Sequence, residues 1–255
     1  QLGVMPKAGG TYDCWTCVRM NQDGSYRAGT RAHELAHNMG IAHAAGNAKG
    51  YGDPTGVMGE TGRFVKDLCF TAATRATIGW IWAVPTSVQA AGDTYSYATT
   101  LAPLRPPTDG TVITALPSGQ VAAIIIDCPT CLMPGTTSKD TDPISATQIV
   151  GGHLVISYRN RLVSRKSRVD TTYRYVSVQV ANDYERAPNT KGNSGTDLYA
   201  LLAAGESYYV SYIGLMVLAC NTASTSAVVG TAYGTTQQDA LTAATAACSN
   251  ALGSP

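Results

Sequence analysis

The sequence has no apolar run long enough to cross a membrane, and it has almost no net charge. Its longest apolar stretches, residues 121–126 and 213–220, have the length of strands, whereas a membrane helix needs about 18 or more apolar residues. We therefore expect no transmembrane segment. The formal net charge of the 255 residues is +1. Basic and aromatic residues do not alternate along the chain, so nucleic acid is not an expected partner.

Targeting and glycosylation signals are also missing. The N-terminal residues show no charged region followed by an apolar one, so no signal peptide is visible. The chain starts at Gln1 without an initiator Met, and we expect a processed or partial chain. It contains no N-x-S/T sequon, and N-glycosylation is not expected.

Charge is concentrated in one place. A local basic run is expected to be a solvated face or loop, with binding of a polyanion as the alternative. Its members are Arg159, Arg161, Arg165, Lys166 and Arg168.

Histidine is scarce, and its distribution is uneven. Three of the four histidines lie in one segment that reads H-E-x-x-H-x-x-G-x-x-H. His33 and His37 are four residues apart, so a helix places both imidazoles on one face. Glu34 beside them can reach a metal-bound water. Two histidines at this spacing with an intervening Glu indicate a zinc site whose Glu acts as general base.

The rest of the segment completes the ligand set. Gly40 can adopt positive φ, which ends the helix and turns the chain back. His43 then supplies a third nitrogen, and three histidines leave one zinc position open, as in catalytic sites. Fifteen residues further on, Met58 lies in a glycine-flanked turn, Gly56–Gly59, that we expect to form the floor beneath the histidines.

The fourth histidine and the cysteines have other interpretations. His153 starts an alternating apolar run and is expected to be a strand residue rather than a ligand. Two C-x-x-C pairs, Cys14/Cys17 and Cys128/Cys131, would permit a four-thiolate zinc site or a redox pair. Their wide separation and the lack of a thioredoxin-like context favour disulfides in a secreted protein. The seven cysteines are an odd number, which leaves one free thiol or one that pairs outside this chain.

The pattern along the chain predicts two structural regions. Residues 1–82 contain the zinc helix, from about residue 28 to 40, and a second helix from Cys69 to Trp80, with Thr71 as its N-cap and Gly79 at its end. Residues 83–110 are rich in Pro and Thr and are predicted to be a linker. Residues 111–255 alternate in strand-length segments, which predicts an antiparallel β-sandwich. A terminal helix is predicted at 237–247.

These motifs together resemble one family. The zinc motif, the segment from Tyr51 to Gly59, the Cys69–Trp80 helix and the later run from Leu201 to Tyr208 look like the gametolysin family of metzincin peptidases. That family, described from volvocine green algae, consists of extracellular zinc endopeptidases that act on hydroxyproline-rich wall glycoproteins. The resemblance implies an α+β protein with a metzincin lower subdomain followed by the β-sandwich.

The resemblance also implies roles for individual residues. It implies His33, His37 and His43 as zinc ligands, Glu34 as general base and Met58 as the Met turn. It implies a protein substrate, Pro-rich or hydroxyproline-rich, and an extracellular location. Some metzincins place a Tyr just after the Met turn; here Gly59 and Glu60 follow, and Tyr51 is the candidate for stabilising the transition state. Only 32 residues precede His33, so we expect that an upstream subdomain or a partner chain would complete the substrate cleft.

Two other functions remain open from the sequence. The chain could be a non-catalytic structural component of an extracellular or cell-surface assembly that retains a metzincin remnant. The β region could also bind wall glycoprotein or glycan through Tyr208, Tyr209 and Tyr212, although tyrosines in strands are more often core residues.

Overall fold

The computed structural model describes just under half of the chain, in separate stretches. These are residues 33, 36, 41, 43–46, 53, 55–59, 70–77, 95–104, 116, 118–128, 130–133, 149–150, 152–160, 174–181, 194–223 and 225–253. In chain order the elements are β1 (His43–Gly46), α1 (Ala72–Thr77), β2 (Ser96–Leu101), β3 (Gln120–Val121), β4 (Ala123–Asp127), β5 (Leu132–Met133), β6 (Ile149–Val150), β7 (His153–Arg159), β8 (Tyr175–Ala181), β9 (Ser194–Leu202), β10 (Ser207–Val210), β11 (Leu215–Thr222), β12 (Ala227–Tyr233) and α2 (Gln237–Leu252).

The strands form two five-stranded sheets and one small pair. Sheet 1 has the order β1-β9-β8-β7-β4, and sheet 2 has the order β10-β11-β12-β2-β3, while β5 pairs with β6. Neighbours are antiparallel except at two places, where β1 runs parallel to β9 and β2 runs parallel to β3. The β1–β9 pairing joins the segment that carries His43 to a strand about 150 residues later in the chain, with His43 aligned to Ser194.

One apolar core lies between the two sheets. Ile156, Val178 and Val180 of sheet 1 belong to the same buried cluster as Leu215 and Val229 of sheet 2. Residues i and i+2 of a strand point to the same face, so this cluster uses one face of each sheet. Burial of these β-branched and aliphatic side chains is the main driving force that holds the sheets together.

The outer faces of both sheets are covered as well. On sheet 1, Ala72 and Ala73 of α1 pack against Val155 and Ala181. On sheet 2, the Ala-rich face of α2 packs against Met216 and Ala232, among others. The layers therefore follow the order α2, sheet 2, sheet 1, and then α1 with the segment around His43.

The C-terminal helix is fixed at its start and along its length. Thr236 is the N-cap, and its hydroxyl accepts from the backbone N–H of Asp239 at 3.1 Å. Cys248 of α2 forms a disulfide with Cys220 of β11. Gly230 lies directly beneath, where an added Cβ would meet Ala244 O at 2.7 Å. The glycine thus permits the close approach that the disulfide requires.

The described part of the structure meets several expectations from the sequence. The mixed α+β class is confirmed, with strands at most predicted positions and few helices among the described residues. The sequence predicts disulfides without their pairing, and the described residues contain two, Cys128–Cys131 and Cys220–Cys248. Cys14, Cys17 and Cys69 lie outside the described residues. Thr71 caps α1, since its Oγ1 accepts from Thr74 N at 3.1 Å.

The structure also differs from the expectations in several details. The described strand pairs within residues 111–255 are antiparallel, as predicted. The two parallel pairs each use a strand from outside that stretch, β1 or β2, which sequence periodicity does not reveal. Strand β2 lies within the stretch assigned to a linker and pairs with β12. Strand β10 ends at Val210, where a turn at 211–214, with positive φ at Gly214, leads directly into β11. The division into domains and the metzincin subdomain remain predictions.

Two smaller expectations can also be compared with the structure. Arg159 is buried rather than solvated, and the other members of the basic run lie outside the described residues. Within the part of the chain that the structure describes, no helix is both long enough and apolar enough to span a membrane.

A buried carboxyl lies next to the β1–β9 pairing. Asp197 of β9 is opposite Ala45 of β1, and its Oδ1 has no hydrogen-bond partner among the described residues. Burial, followed by the nearby Asp53 carboxyl, raises the pKa of Asp197 to about 7, against a backbone hydrogen bond from Leu198 that lowers it. The folded chain therefore holds a proton on this residue where an unfolded chain would release it.

Removal of the Cys220–Cys248 disulfide is expected to destabilise the protein. The two cysteines are 28 residues apart, and the loop-entropy relation gives roughly 3–4 kcal/mol for a loop of about that length. The double variant Cys220→Ala/Cys248→Ala should therefore show a lower midpoint in denaturant unfolding. The matched control is Cys128→Ala/Cys131→Ala. It removes a disulfide between cysteines only 3 positions apart and should therefore lose less stability. An equal loss in both variants would contradict the expectation.

Replacement of Asp197 by Asn should change the pH dependence of stability. As pH rises from the unfolded pKa of 3.8 to the folded value of about 7, the unfolded chain loses the proton while the folded chain keeps it. The wild type therefore loses stability over this window, and the loss is complete above it. The advantage of Asp197→Asn in thermal unfolding should grow from acid to mildly alkaline pH, towards roughly 4 kcal/mol. If the difference in stability between Asp197→Asn and the wild type does not vary with pH, this account of Asp197 is wrong.

Candidate metal centre

His33 is placed by a helix and oriented by a carbonyl. His33 and Ala36 are helical, and both are buried. The Nδ1 atom of His33 lies 2.8 Å from the carbonyl oxygen of Val57. A carbonyl accepts only, so Nδ1 carries the proton and donates, which makes Nε2 the basic nitrogen. A metal-binding His commonly donates its other ring N–H in this way.

His43 stands beside His33 at the start of β1. The two ring centroids are 5.3 Å apart, with the ring planes inclined by 27°. The residues are ten positions apart in sequence, and two backbone features bring them together. The N–H of Ile41 donates to the carbonyl of Ala36 at 3.0 Å, a bond across five residues that is typical of a glycine-capped helix end. The parallel pairing with β9 then fixes the direction of the strand.

The predicted Met turn forms a tight loop beneath these rings. The N–H of Gly59 donates to the carbonyl of Gly56 at 3.1 Å, which closes a turn around Val57 and Met58. Both side chains are buried in a small cluster with Ala36 and Ala44. The turn is also joined to β1, because the N–H of Ala44 donates to the carbonyl of Met58 at 2.9 Å.

Close packing explains both glycines of the turn. A Cβ at Gly59 would collide with the backbone carbonyl of Asp53, and a Cβ at Gly56 would collide with the side chain of Thr71. Any larger residue would push the turn away from the segments that it touches. The carbonyl of Val57 would move with it.

A buried carboxylate stabilises the segment before the turn. Asp53 is fully buried, and its Oδ1 accepts from the N–H of Thr55 at 2.7 Å and from its hydroxyl at 2.5 Å. Its Oδ2 accepts from Nε2 of Gln179 at 2.5 Å. Burial raises the pKa of Asp53, against the opposing effects of Thr55, the Arg159 cation and Gln179.

The structure thus brings together three of the predicted site residues. His33, His43 and Met58 converge on one small volume, whereas Glu34, His37 and Tyr51 lie outside the described residues. Within the described residues no group of three or more metal-ligating side chains forms, since only two of the three predicted ligands are among them. His153 lies away from this site, in β7, where its Nδ1 is 3.0 Å from Oδ1 of Asp127.

The two described histidines suit a zinc ion. Neutral imidazoles are N donors of intermediate softness, which zinc prefers. The His33 tautomer set by Val57 presents its basic Nε2 as a donor, and the second ring is stacked close by. This chemistry fits the metal that the motif predicts.

Sequence analysis missed the polar residues that support the site. Asp53, Arg159 and Gln179 are all buried, yet the sequence indicated only a loop, a basic run and a strand. One signal was available: Gln179 alternates with the apolar residues Val178 and Val180 in a strand buried on both faces. A polar residue at such a position needs a buried partner.

Substitution of Gly59 by Ala should disturb the turn and the site together. The new methyl group would meet backbone of Asp53, so the loop must shift, at a cost of about 1–3 kcal/mol for an overpacked site. We expect lower thermal stability and weaker zinc binding, measured by competition with a chelator. Met58→Leu is the control, because it keeps the volume of the floor and should bind zinc normally. Normal zinc binding by Gly59→Ala would contradict this account of the turn.

Comparison with known proteins gives one match. Residues 8–119, which include the zinc motif and the Met turn, match the family model described as Gametolysin peptidase M11. Neither a curated protein nor a solved structure shows a significant match to the chain. The family match confirms the resemblance that the motifs predicted: over residues 8–119, the region that carries the zinc motif, the chain is similar to the gametolysin family of metallopeptidases.

Proposed function

We propose that the protein is a secreted, zinc-dependent endopeptidase that cleaves extracellular matrix or cell-wall glycoproteins. The observation that carries the proposal is the convergence of His33, His43 and the Met turn, with His33 oriented by the carbonyl of Val57. The match of the surrounding region to a metallopeptidase family supports it. The two disulfides are compatible with an extracellular protein.

The proposed ligands are His33, His37 and His43. Bound zinc would supply Lewis acidity, which acidifies a coordinated water towards a pKa of roughly 7 and polarises the scissile carbonyl. Val57 holds His33 in the tautomer that leaves Nε2 as the donor atom. The buried cluster around Met58 includes Ala36 and Ala44, and so packs against the two segments that carry His33 and His43.

Glu34 is proposed as the general base. It is adjacent to the first ligand in sequence, and a carboxylate there can accept the proton of the attacking water. The same carboxyl can then deliver that proton to the leaving amine, so that the side chain ends the cycle ionised again. No other step requires a titratable group of this chain.

The substrate is proposed to be a Pro-rich or hydroxyproline-rich glycoprotein. This proposal comes from the family resemblance alone, and the described residues do not select among protein substrates. The alternative is a non-catalytic structural component of an extracellular assembly, and the following experiment distinguishes the two functions.

Loss of Glu34 should separate catalysis from metal binding. Glu34→Ala and Glu34→Gln are expected to keep zinc and to lose activity by on the order of 10²–10⁴-fold or more, as for removal of a general base. His37→Ala should lose zinc as well. The measurements are zinc content and cleavage of a Pro-rich wall glycoprotein and of casein by the purified chain, with and without a chelator.

His153→Ala is the matched control for these variants. It removes a histidine that lies outside the motif, in a half-exposed pair with Asp127, and should change neither zinc content nor activity. Wild-type cleavage by Glu34→Ala would refute its role as base. Zinc binding without any cleavage by the wild type would favour the structural alternative.

A further inference from the structure

The outer face of sheet 1 carries a row of buried polar side chains. Ser157 and Arg159 of β7 and Ser177 and Gln179 of β8 are each at most 5% exposed. Ser157 and Ser177 lie with their Oγ atoms 2.8 Å apart and so hydrogen-bond to each other. The other two reach across to the N-terminal region: Arg159 donates to the carbonyl of Phe70 at 3.4 Å, and Gln179 donates to Asp53.

The bond from Gln179 to Asp53 is short and deeply buried. Its donor Nε2 and its acceptor Oδ2 are 2.5 Å apart, and both residues are fully buried. The residues are separated by 126 positions in sequence. An amide that donates to a carboxylate makes a charge-assisted bond, which is roughly twice as strong as a neutral one.

The orientation of the Gln179 amide has a cost. Because Nε2 must face the carboxylate, Oε1 lies on the other side, where it is buried and has no partner among the described residues. An unsatisfied buried carbonyl typically costs about 1–3 kcal/mol. The bond to Asp53 offsets this cost, because an apolar side chain at this position would leave the buried carboxyl of Asp53 without its donor. What Gln179 fixes is therefore the position of Asp53.

Asp53 is connected to both described zinc-ligand candidates. Its N–H donates to the carbonyl of Ala44 at 3.3 Å, directly after His43 in β1. Its own carbonyl packs against Gly59, the last residue of the turn whose Val57 carbonyl orients His33. The side chain meanwhile holds Thr55, the residue that leads into this turn. A shift of Asp53 would therefore displace the supports of both rings.

We propose that Gln179 is a positioning residue for the zinc centre, which it acts on through Asp53. Strand β8 of the C-terminal β region thereby becomes part of the support of a metal site whose ligands all lie in the first 43 residues. This inference rests on the proposed function in taking His33 and His43 as ligands. Gln179 touches neither ligand, and it fixes the segment on which the carbonyl of Val57 and the start of β1 depend.

The experiment uses the full chain with two substitutions and a rescue. Gln179→Leu removes the donor at nearly the same volume, and Gln179→Glu places a second carboxyl against Asp53. The double variant Asp53→Asn/Gln179→Glu reverses the bond, so that Asn at position 53 donates to Glu at position 179 while its carbonyl still accepts from Thr55. Ser177→Ala is the control, since it loses a buried hydrogen bond on the same strand and face without contact to Asp53.

Two quantities are measured for each variant. One is the zinc dissociation constant, by competition with a chelator, and the other is the thermal midpoint of the metal-free protein. We expect both single Gln179 variants to bind zinc about 10–100-fold more weakly, the range for loss of a residue that orients a ligand. The double variant should recover most of this affinity. Ser177→Ala should lower the thermal midpoint and keep the affinity of the wild type.

Other outcomes would overturn the inference. If the Gln179 variants lower the thermal midpoint but bind zinc as the wild type does, Gln179 is a packing residue only. If Gln179→Leu does not fold, the comparison of Gln179→Glu with the double variant decides, and failure of the double variant to recover affinity would refute the role. If the wild type cleaves substrate and the Gln179 variants bind zinc as tightly as the wild type, this inference alone is refuted. If the wild type binds no zinc, both this inference and the proposed function are refuted.

Discussion

The parallel pairing of β1 with β9 is the contact on which the arrangement of the protein depends. It adds the short strand that starts at His43 to the edge of a sheet whose other four strands come from residues 123–202. One face of that sheet shares a core with sheet 2, so the edge to which β1 attaches is rigid. The opposite face is then available to α1 and to the residues that support the Met turn. A four-residue strand would have no stability of its own.

The use of the two faces of sheet 1 explains its unusual composition. Toward sheet 2 the strands present Val and Ile, which pack without any need for hydrogen bonds. Toward the N-terminal region they present Ser, Arg and Gln, and each of these makes a polar contact. Both faces are buried, but only the one toward sheet 2 is apolar throughout, since the other combines these polar residues with Val155 and Ala181. The polar face fixes specific atoms of the neighbouring segment, which an apolar face would not do to the same degree.

The strands and the metal motif could be predicted because both are local patterns. The alternation from Tyr175 to Val180 and the spacing of His33, His37 and His43 can be recognised within a dozen residues. The parallel edge pairing could not be predicted, since nothing in the sequence near His43 specifies Ser194 as its neighbour. The bond from Gln179 to Asp53 could not be predicted for the same reason, because a buried Gln indicates that a partner exists and does not indicate which one. Arg159 was misjudged because a charged residue within a basic run resembles a surface residue until the packing around it is known.

The separation between β1 and β9 also has a consequence for the order of folding. His43 pairs with Ser194, so the chain must close a loop of about 150 residues before that strand can dock, and such long-range contacts form slowly. During synthesis the zinc motif leaves the ribosome about 150 residues before β9, and the sheet edge that receives it is completed only after β9 has been made. The proposed ligands are thus synthesised well before the strand that holds their segment in place. An incomplete chain would carry every proposed ligand and still lack the scaffold that brings them together.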